Sequence, residues 1–374
     1  MVYLRFKSIL LAAVLLFGSV ELHAQKPPTD LTDLDIEEIL SLHINRVDFE
    51  RWHVGYRFMY ASFDGYRSGT EDLEISEVLG PPSVVNPEDN GAYPITPTEI
   101  SQQAHLIEMV YNVTQNISMS LQLPYIRQSS DHVSIPGIYE NPTKLVDGEE
   151  YFRDFNITSS GLGDISVSGS YAHRLGGDAR ILASMGVNLP TGSIDKKGLT
   201  PRDPPNDTLL PFTMQIGSGT VDLVPTVAYS DRRDALRWSA YTSSVLRMGK
   251  NSRDYALGNR FALGGSISYR AAEWVEPFVR LAYKTTGKID GVNEDLKVPR
   301  PDGVLVFPAP VTNPDLFGGK EIELRLGSNV RVNKGLQERF ALNVEYGLPV
   351  YQSLNGPQPK ELGRIGLSLS LIHI

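Results

Sequence analysis

Sixteen charged residues share one pattern: each lies among polar residues that alternate with apolar ones. Acidic and basic members are mixed, so carboxylates and cations on neighbouring strands could form a lattice of ion pairs. The same groups could instead line a constriction that selects solutes by charge and size. The two roles are compatible, and the sequence leaves both open. The main candidates are Arg57, Glu108, Asp164, Arg180, Asp222, Arg260, Arg280, Glu323, Arg325, Arg339 and Glu345, and the same pattern includes Arg51, Arg270, Glu276, Glu321 and Arg364.

Two pairs of residues offer a weaker case for a metal site. His53 and Met59 share one face of the first predicted strand, and His105 and Met109 share one face of the second. Imidazole and thioether groups bind soft metal ions, and the two pairs could approach each other across neighbouring strands. Isolated His and Met residues more often fill space, so we expect no metal and no other cofactor.

The sequence offers little support for an enzyme. It has no Gly-x-Ser-x-Gly elbow, no His-Glu-x-x-His zinc motif and no Walker loop. The absence of cysteine excludes disulfides, thiolate metal sites and cysteine nucleophiles. The formal charge of −9 argues against binding to nucleic acid, which requires a basic surface. We expect a protein that is not an enzyme, with a hydrolase of convergent geometry as an alternative.

Most of the chain alternates between apolar and polar residues with a period of two. Trp52, Val54, Tyr56 and Phe58 alternate with polar neighbours, and the same alternation recurs up to Leu371. This pattern is typical of strands with one apolar and one polar face. It predicts about twelve strands, over residues 51–60, 103–112, 115–126, 162–173, 179–190, 219–229, 236–247, 259–270, 273–284, 320–332, 338–349 and 362–373.

The predicted connections alternate between short turns and long loops. The short ones cover 113–114, 174–178, 231–235, 271–272 and 333–337, whereas the long ones cover about 61–102, 127–161, 191–218, 248–258, 285–319 and 350–361. Short periplasmic turns and long external loops are typical of outer-membrane barrels. The aromatic residues agree, because all three tryptophans fall near the predicted periplasmic ends, as in an interfacial girdle. We therefore predict an all-β fold: a closed antiparallel transmembrane β-barrel spanning 50–374.

The N-terminal residues suggest export. Residues 1–24 combine Arg5 and Lys7 with the apolar stretch 9–17 and end at Ala24, as expected for a signal peptide. Residues 25–49 would form a periplasmic segment with a short acidic amphipathic helix over 29–44, acting as a tether, a plug or a docking element. We expect the barrel to lie in the outer membrane of a Gram-negative cell.

Five motifs occur in order along the predicted barrel: Gly161-Leu-Gly-Asp-Ile165, Leu189-Pro-Thr-Gly-Ser-Ile-Asp195, Met214-Gln-Ile-Gly-Ser-Gly-Thr220, Asn313-Pro-Asp-Leu-Phe-Gly-Gly319 and Gly347-Leu-Pro-Val-Tyr-Gln352. Together they make the chain resemble the outer-membrane transporter family of the meta-pathway of phenol degradation, over about residues 50–372. The resemblance implies a β-barrel transporter for small aromatic or other hydrophobic compounds.

The sequence departs from this family at two places. Some relatives have early strands rich in methionine and histidine, whereas Ser101 and Gln103 stand here where methionine is expected, which weakens the metal hypothesis. The chain ends in Ile374 rather than in the aromatic residue by which the barrel-assembly machinery recognises such barrels.

These observations together predict passive passage of a small solute across the outer membrane, with lipid and the assembly machinery as further partners. The alternatives are a structural or adhesin-like surface barrel with a blocked lumen, and an outer-membrane barrel hydrolase. The Pro and Gly residues that flank 191–218 also suggest that this loop folds inward and narrows the pore.

Overall fold

The computed structural model describes residues 51–80, 93–134, 154–203, 206–299, 303–334 and 338–373, without the side chains of 332–339 and 371–373. The predicted signal peptide, the predicted N-terminal helix and Ile374 lie outside the described residues. The strands are β1 (Trp52–Gly69), β2 (Glu71–Leu73), β3 (Ile95–Asn112), β4 (Ile117–Ser134), β5 (Asp154–Leu162), β6 (Ile165–Gly176), β7 (Ala179–Leu189), β8 (Lys197–Leu199), β9 (Asp207–Leu209), β10 (Asp222–Arg233), β11 (Leu236–Arg247), β12 (Tyr255–Ala256), β13 (Arg260–Tyr269), β14 (Val275–Thr286), β15 (Asp290–Gly291), β16 (Val298–Pro299), β17 (Leu305–Val306), β18 (Gly319–Lys334) and β19 (Glu338–His373).

Helical structure is limited to single turns in the described part of the chain. The α-helical turn α1 covers Ile75–Val78, and 3₁₀ turns cover Phe212–Met214, Glu294–Leu296, Pro310–Thr312 and Pro314–Leu316. Among these residues no helix has the length and apolar character to cross a bilayer.

Eleven strands form one closed antiparallel ring, in the order β1, β3, β4, β6, β7, β10, β11, β13, β14, β18 and β19, which returns to β1. β19 crosses the wall twice, because its residues 338–354 pair with β18 and its residues 354–373 pair with β1. Ten single crossings and one double crossing give the twelve that the sequence predicts. β2 and β5 extend the sheet beside β1 and β4. Closure pairs every strand of the ring, as a hydrocarbon environment requires.

The period-two alternation separates an apolar outer face from a polar inner face. Along β4, Ile117 and Met119 are exposed on the outside, whereas Ser118 and Ser120 are buried inside. The same pattern holds on β13, where Ile267 is 58% exposed and Ser268 is 8% exposed. The wall thus carries an apolar exterior around a hydrophilic interior, as expected for a barrel in lipid.

The ring has a turn end, where the connections are short, and a loop end, where most of them are long. At the turn end Trp52 packs against Tyr111 with ring centroids 4.7 Å apart. Tyr171, Tyr269 and Trp274 are also exposed at this end. The predicted aromatic girdle is therefore present on the outer face of the turn end.

Several of the predicted boundaries are wrong. Residues 350–361 do not form a long loop, because β19 continues through them and reverses near Gly356, whose φ is +83°. Asn355-Gly356 is a typical hairpin pair. In addition, β1, β3 and β4 extend well beyond their predicted loop-side ends, and β5 lies inside the predicted loop 127–161.

Three of the long connections pack together into a roof at the loop end. Leu209 and Phe212, from the β7–β10 connection, form an apolar core with Tyr255, Ile289 and Leu296 from the next two connections. Burial raises the pKa of Tyr255 to about 12, since the phenolate would lose its hydration. The roof loops therefore pack against one another through a small hydrophobic core of their own.

The roof is also held together by an arginine clamp. Arg253, on the β11–β13 connection, lies 2.6 Å from Asp195 and 2.6 Å from Asp295, which belong to the two neighbouring connections. These three residues link all three roof loops on their exposed side.

Candidate functional site: the barrel lumen

Glu345 is the centre of a charged wall that β14, β18, β19 and β1 build on one side of the lumen. Its carboxylate lies 2.9 Å from Arg57 on β1, 2.9 Å from Arg280 on β14 and 3.2 Å from Arg325 on β18. The Glu345 side chain is only 5% exposed. One carboxylate therefore ties together four neighbouring wall segments near the seam where the barrel closes.

Glu323 forms a second centre one step towards the loop end. It contacts Lys284, Arg325 and Arg364, and Arg364 also lies 2.6 Å from Glu361. The charged wall as a whole contains five cations against four carboxylates, which leaves a formal charge of +1. Its members are Arg57, Arg280, Lys284, Arg325 and Arg364, with Glu321, Glu323, Glu345 and Glu361.

The opposite side of the lumen is lined by small hydroxyl side chains. The hydroxyls of Ser120 and Ser168 are 2.7 Å apart, and Ser170 donates to Ser184 at 2.9 Å. The hydroxyl of Ser239 lies 2.8 Å from that of Ser266 on β13. Serine side chains reach a shorter distance from the backbone than arginine or glutamate. This part of the wall therefore fills less of the lumen than the charged wall does.

A chamber of about 230 Å³ lies between the charged wall and the roof. One side of the chamber is apolar, and the other side carries charges. The apolar lining comprises Met59, Phe63, Ile126, Phe212, Ile216 and Val224, and the charged lining comprises Arg260, Lys284, Glu321, Arg325, Glu361 and Arg364. The chamber is suited to a small molecule with an apolar body and a polar or charged group.

The predicted inward folding of loop 191–218 is present in the structure, and Asp164 anchors it. The Asp164 carboxylate accepts hydrogen bonds from the backbone N–H groups of Gly192 and Ser218, both at 2.8 Å, and from the Ser218 hydroxyl at 2.7 Å. Met214 and Ile216 of this loop are buried. Gly192 and Gly217 pack so closely that a Cβ on either would clash with backbone atoms. The loop therefore forms part of the chamber wall.

The other main candidates whose side chains are described also take inner positions, but not all of them join one site. Asp222 is buried and pairs with Arg247, and Arg260 lines the chamber. Glu108 is buried on β3, whereas Arg180 is half-buried near the turn end. The side chain of Arg339 lies outside the described residues. The structure thus joins seven of the sixteen predicted residues in the charged wall: Arg57, Arg280, Glu321, Glu323, Arg325, Glu345 and Arg364.

Several lumen charges were missed by sequence analysis. Lys284 and Arg331 have the same strand parity as predicted members on β14 and β18, so alternation alone could have identified them. Arg237 and Arg247 lie on β11, where no lumen residue was predicted, and Glu361 lies in the segment that was predicted to be a loop.

The two histidine–methionine pairs lie on opposite faces of the wall, which contradicts their predicted approach. His53 and Met59 are buried inside the barrel. His105 pairs in register with Phe58, and its Nδ1 is hydrogen-bonded to the hydroxyl of Tyr56 at 2.7 Å. Tyr56 is exposed on the outer face. Met109 pairs in register with Val54, also on the outer face. These four residues cannot form one site because paired residues in a sheet point to the same side.

No family model matches the chain, and no curated protein matches it. Among solved structures, an outer-membrane channel from Pseudomonas putida F1 is similar over 87% of this chain and 96% of its own length, with a TM-score of 0.52 and 11% identity. The transport unit of the autotransporter AIDA-I from Escherichia coli (TM-score 0.42, 7% identity, 88% and 92% coverage) and a FadL homologue from Pseudomonas aeruginosa (TM-score 0.40, 11% identity, 86% and 90% coverage) also match. The resemblance to the phenol meta-pathway family stays a prediction. The first of these similarities shows that the chain has the fold of an outer-membrane channel.

Proposed function

We propose that this chain is an outer-membrane channel through which a small solute passes passively. The observation that supports it best is the chamber of about 230 Å³, enclosed by a barrel with an apolar exterior and a polar interior. An enclosed hydrophilic path is what a solute needs to cross a bilayer without entering hydrocarbon. The barrel would lie in the outer membrane of a Gram-negative cell, with its turn end in the periplasm.

The lining suggests which solutes pass. Phe212, Ile126 and Met59 provide contacts for an aromatic or aliphatic body, whereas Arg260 and Arg364 face a polar or anionic group. We therefore propose small aromatic or other hydrophobic compounds that carry a polar group as solutes. Lipid and the barrel-assembly machinery are the further proposed partners, and no catalytic step is part of the proposal.

Liposome swelling tests the channel function directly. Liposomes containing the purified protein should swell in phenolic solutes faster than liposomes without it, and should discriminate against sugars of similar size. Equal rates with and without protein, together with no single-channel conductance in planar bilayers, would support a structural barrel with a blocked lumen instead.

The folded-in loop provides a second test. Leu209 packs with the chamber-lining Phe212, and Leu210 packs with Met214. Removing residues 196–210 takes away this support for the chamber wall, so we expect a higher single-channel conductance. Heat-modifiable migration in gel electrophoresis would show whether the shortened protein still forms a barrel. An unchanged conductance from a folded variant contradicts the role of this loop in narrowing the path.

A further inference from the structure

A row of three glutamine side chains runs from the folded-in loop to the chamber wall. The Gln215 side chain ties its own loop in place, because its Oε1 accepts from the Lys196 backbone N–H at 2.9 Å and its Nε2 donates to the Leu210 carbonyl at 2.8 Å. The Gln215 backbone carbonyl accepts a hydrogen bond from Gln128 Nε2 at 3.0 Å, and Gln128 Oε1 accepts one from Gln102 Nε2 at 2.7 Å. A backbone carbonyl can only accept, so this order fixes which end of the Gln128 and Gln102 amides carries the nitrogen.

The row ends at an acceptor without a donor. Gln102 is only 4% exposed, and within the described part of the chain its buried Oε1 has no hydrogen-bond partner. The neighbours of Gln102 on the inner face are Ile100 and Ala104 on β3 and its in-register partner Ala61 on β1. None of these side chains carries a donor, so the wall beside Gln102 leaves this oxygen unpaired.

Gln102 lines the chamber on its apolar side. Met59, Phe63 and Ile126 line the same side, and Met59 and Phe63 pack with Ala61 in one buried cluster. A buried acceptor without a partner costs free energy that a donor on a bound molecule would recover. A charged donor would lose its hydration among these apolar side chains, so a neutral hydroxyl or N–H group suits the position better than a cation does.

We propose that Gln102 selects solutes by their hydrogen-bond donor. Its Oε1 accepts a hydrogen bond from the hydroxyl or N–H group of a neutral solute, whose apolar body lies against Met59, Phe63 and Ile126. This inference rests on the proposed channel function, since the solute reaches Gln102 through the lumen. It goes beyond that function by separating solutes that donate a hydrogen bond from those that can only accept one.

Equilibrium dialysis with the full-length protein in detergent tests the site without requiring conduction. The probes are cyclohexanol, which donates a hydrogen bond, and methoxycyclohexane, which has the same ring but can only accept one; micelles without protein give the background. Gln102→Leu should weaken binding of cyclohexanol on the order of tenfold and leave binding of methoxycyclohexane nearly unchanged. Gln103→Leu, at the next position of β3 and on the outer face, is the matched control and should bind both probes as the wild type does.

Equal loss of both probes in Gln102→Leu would overturn the proposal, since the side chain would then act through packing alone. Unchanged binding of cyclohexanol in this variant, or no binding of cyclohexanol by the wild type, would overturn it as well. Heat-modifiable migration shows whether the variant forms a barrel. If it does not, Gln102→Met, which is unbranched like glutamine, takes its place under the same criteria.

The same measurements separate this site from the channel function. If Gln102→Leu loses cyclohexanol alone but the protein neither conducts ions nor swells liposomes, the donor-selective site stands and the channel function fails. If the protein conducts and Gln102→Leu binds both probes normally, the channel function stands and the donor-selective site fails.

Discussion

Replacing Glu345 by glutamine should destabilise the barrel and shift its ion selectivity together. The substitution preserves the shape of the side chain but removes the charge that faces Arg57, Arg280 and Arg325 at 2.9, 2.9 and 3.2 Å. Removing one partner of a buried ion pair typically costs about 3–5 kcal/mol, because the remaining charges stay desolvated. Arg325 retains Glu323, so we expect about 3 kcal/mol.

The free energy of unfolding can be measured by urea titration in lipid vesicles, followed by tryptophan fluorescence. Glu294→Gln is the matched control, because Glu294 pairs with Lys297 at 2.9 Å but is 63% exposed. An exposed pair contributes about 0–1 kcal/mol, so this variant should unfold almost as the wild type does. The charged wall changes from +1 to +2 in Glu345→Gln, so the reversal potential in a salt gradient should move towards anions.

A double-mutant cycle with Arg57→Gln tests the reasoning more strictly. Directly contacting charges should show a coupling free energy within about 0.5–3 kcal/mol. Additive effects of Glu345→Gln and Arg57→Gln, or equal destabilisation by Glu345→Gln and the exposed control, would refute the description of Glu345 as a buried ionic centre.

Four further predictions follow from the same contacts. Asp164→Asn weakens the anchor of the folded-in loop at Gly192 and Ser218, so single-channel conductance should rise, and an unchanged value would count against the anchor. Gly264→Ala should cost about 1–3 kcal/mol in unfolding free energy because its Cβ would lie 2.6 Å from the Tyr241 ring, whereas Gly169→Ala, which has open space, should be nearly neutral. Leu263→Arg on the outer face should cost about 2–4 kcal/mol if that face meets lipid, as measured by urea unfolding in vesicles. Hydrogen bonds from Lys360 and Arg67 hold the pKa of Asp72 below its ordinary value of 3.8. The ionised carboxylate therefore stabilises the folded protein at a pH above the unfolded-state pKa, and this stabilisation is lost as the pH falls through the folded-state pKa. Asp72→Asn removes this contribution, so the variant should lose less stability than the wild type in an acid titration.

The sequence predicts the wall crossings well because lipid and lumen impose opposite polarity on alternate residues. This contrast ends where the strands leave the membrane, so the loop-side extension of β1 beyond residue 60 was not predicted. The same reason explains why β5 was missed. Residues 350–361 were predicted to be a loop, yet β19 continues through them, and Pro359 pairs in register with Tyr66.

The candidate site was predictable in composition but not in pairing. Strand parity places Glu323, Arg325 and Glu345 inside, as the structure shows. Which carboxylate meets which guanidinium depends on the register between strands and on the reach of long side chains, neither of which alternation specifies. The hydrophobic core of the roof was not predicted, because Tyr255 and Leu296 lie in segments without a periodic pattern. These segments meet only after the barrel brings three connections together.

Cysteine labelling of adjacent residues on β13 provides the sharpest test of a lipid-facing exterior around a water-filled lumen. The chain has no cysteine of its own, so single substitutions report on one position each. Ser266 lies inside, 2.8 Å from Ser239, and Ile267 lies outside and is 58% exposed. In vesicles, a charged water-soluble thiol reagent should modify Ser266→Cys and spare Ile267→Cys, whereas a spin label attached to lipid chains should quench a fluorophore only at position 267. The opposite preference, or equal behaviour at both positions, would contradict the barrel's orientation towards lipid and with it the proposed channel.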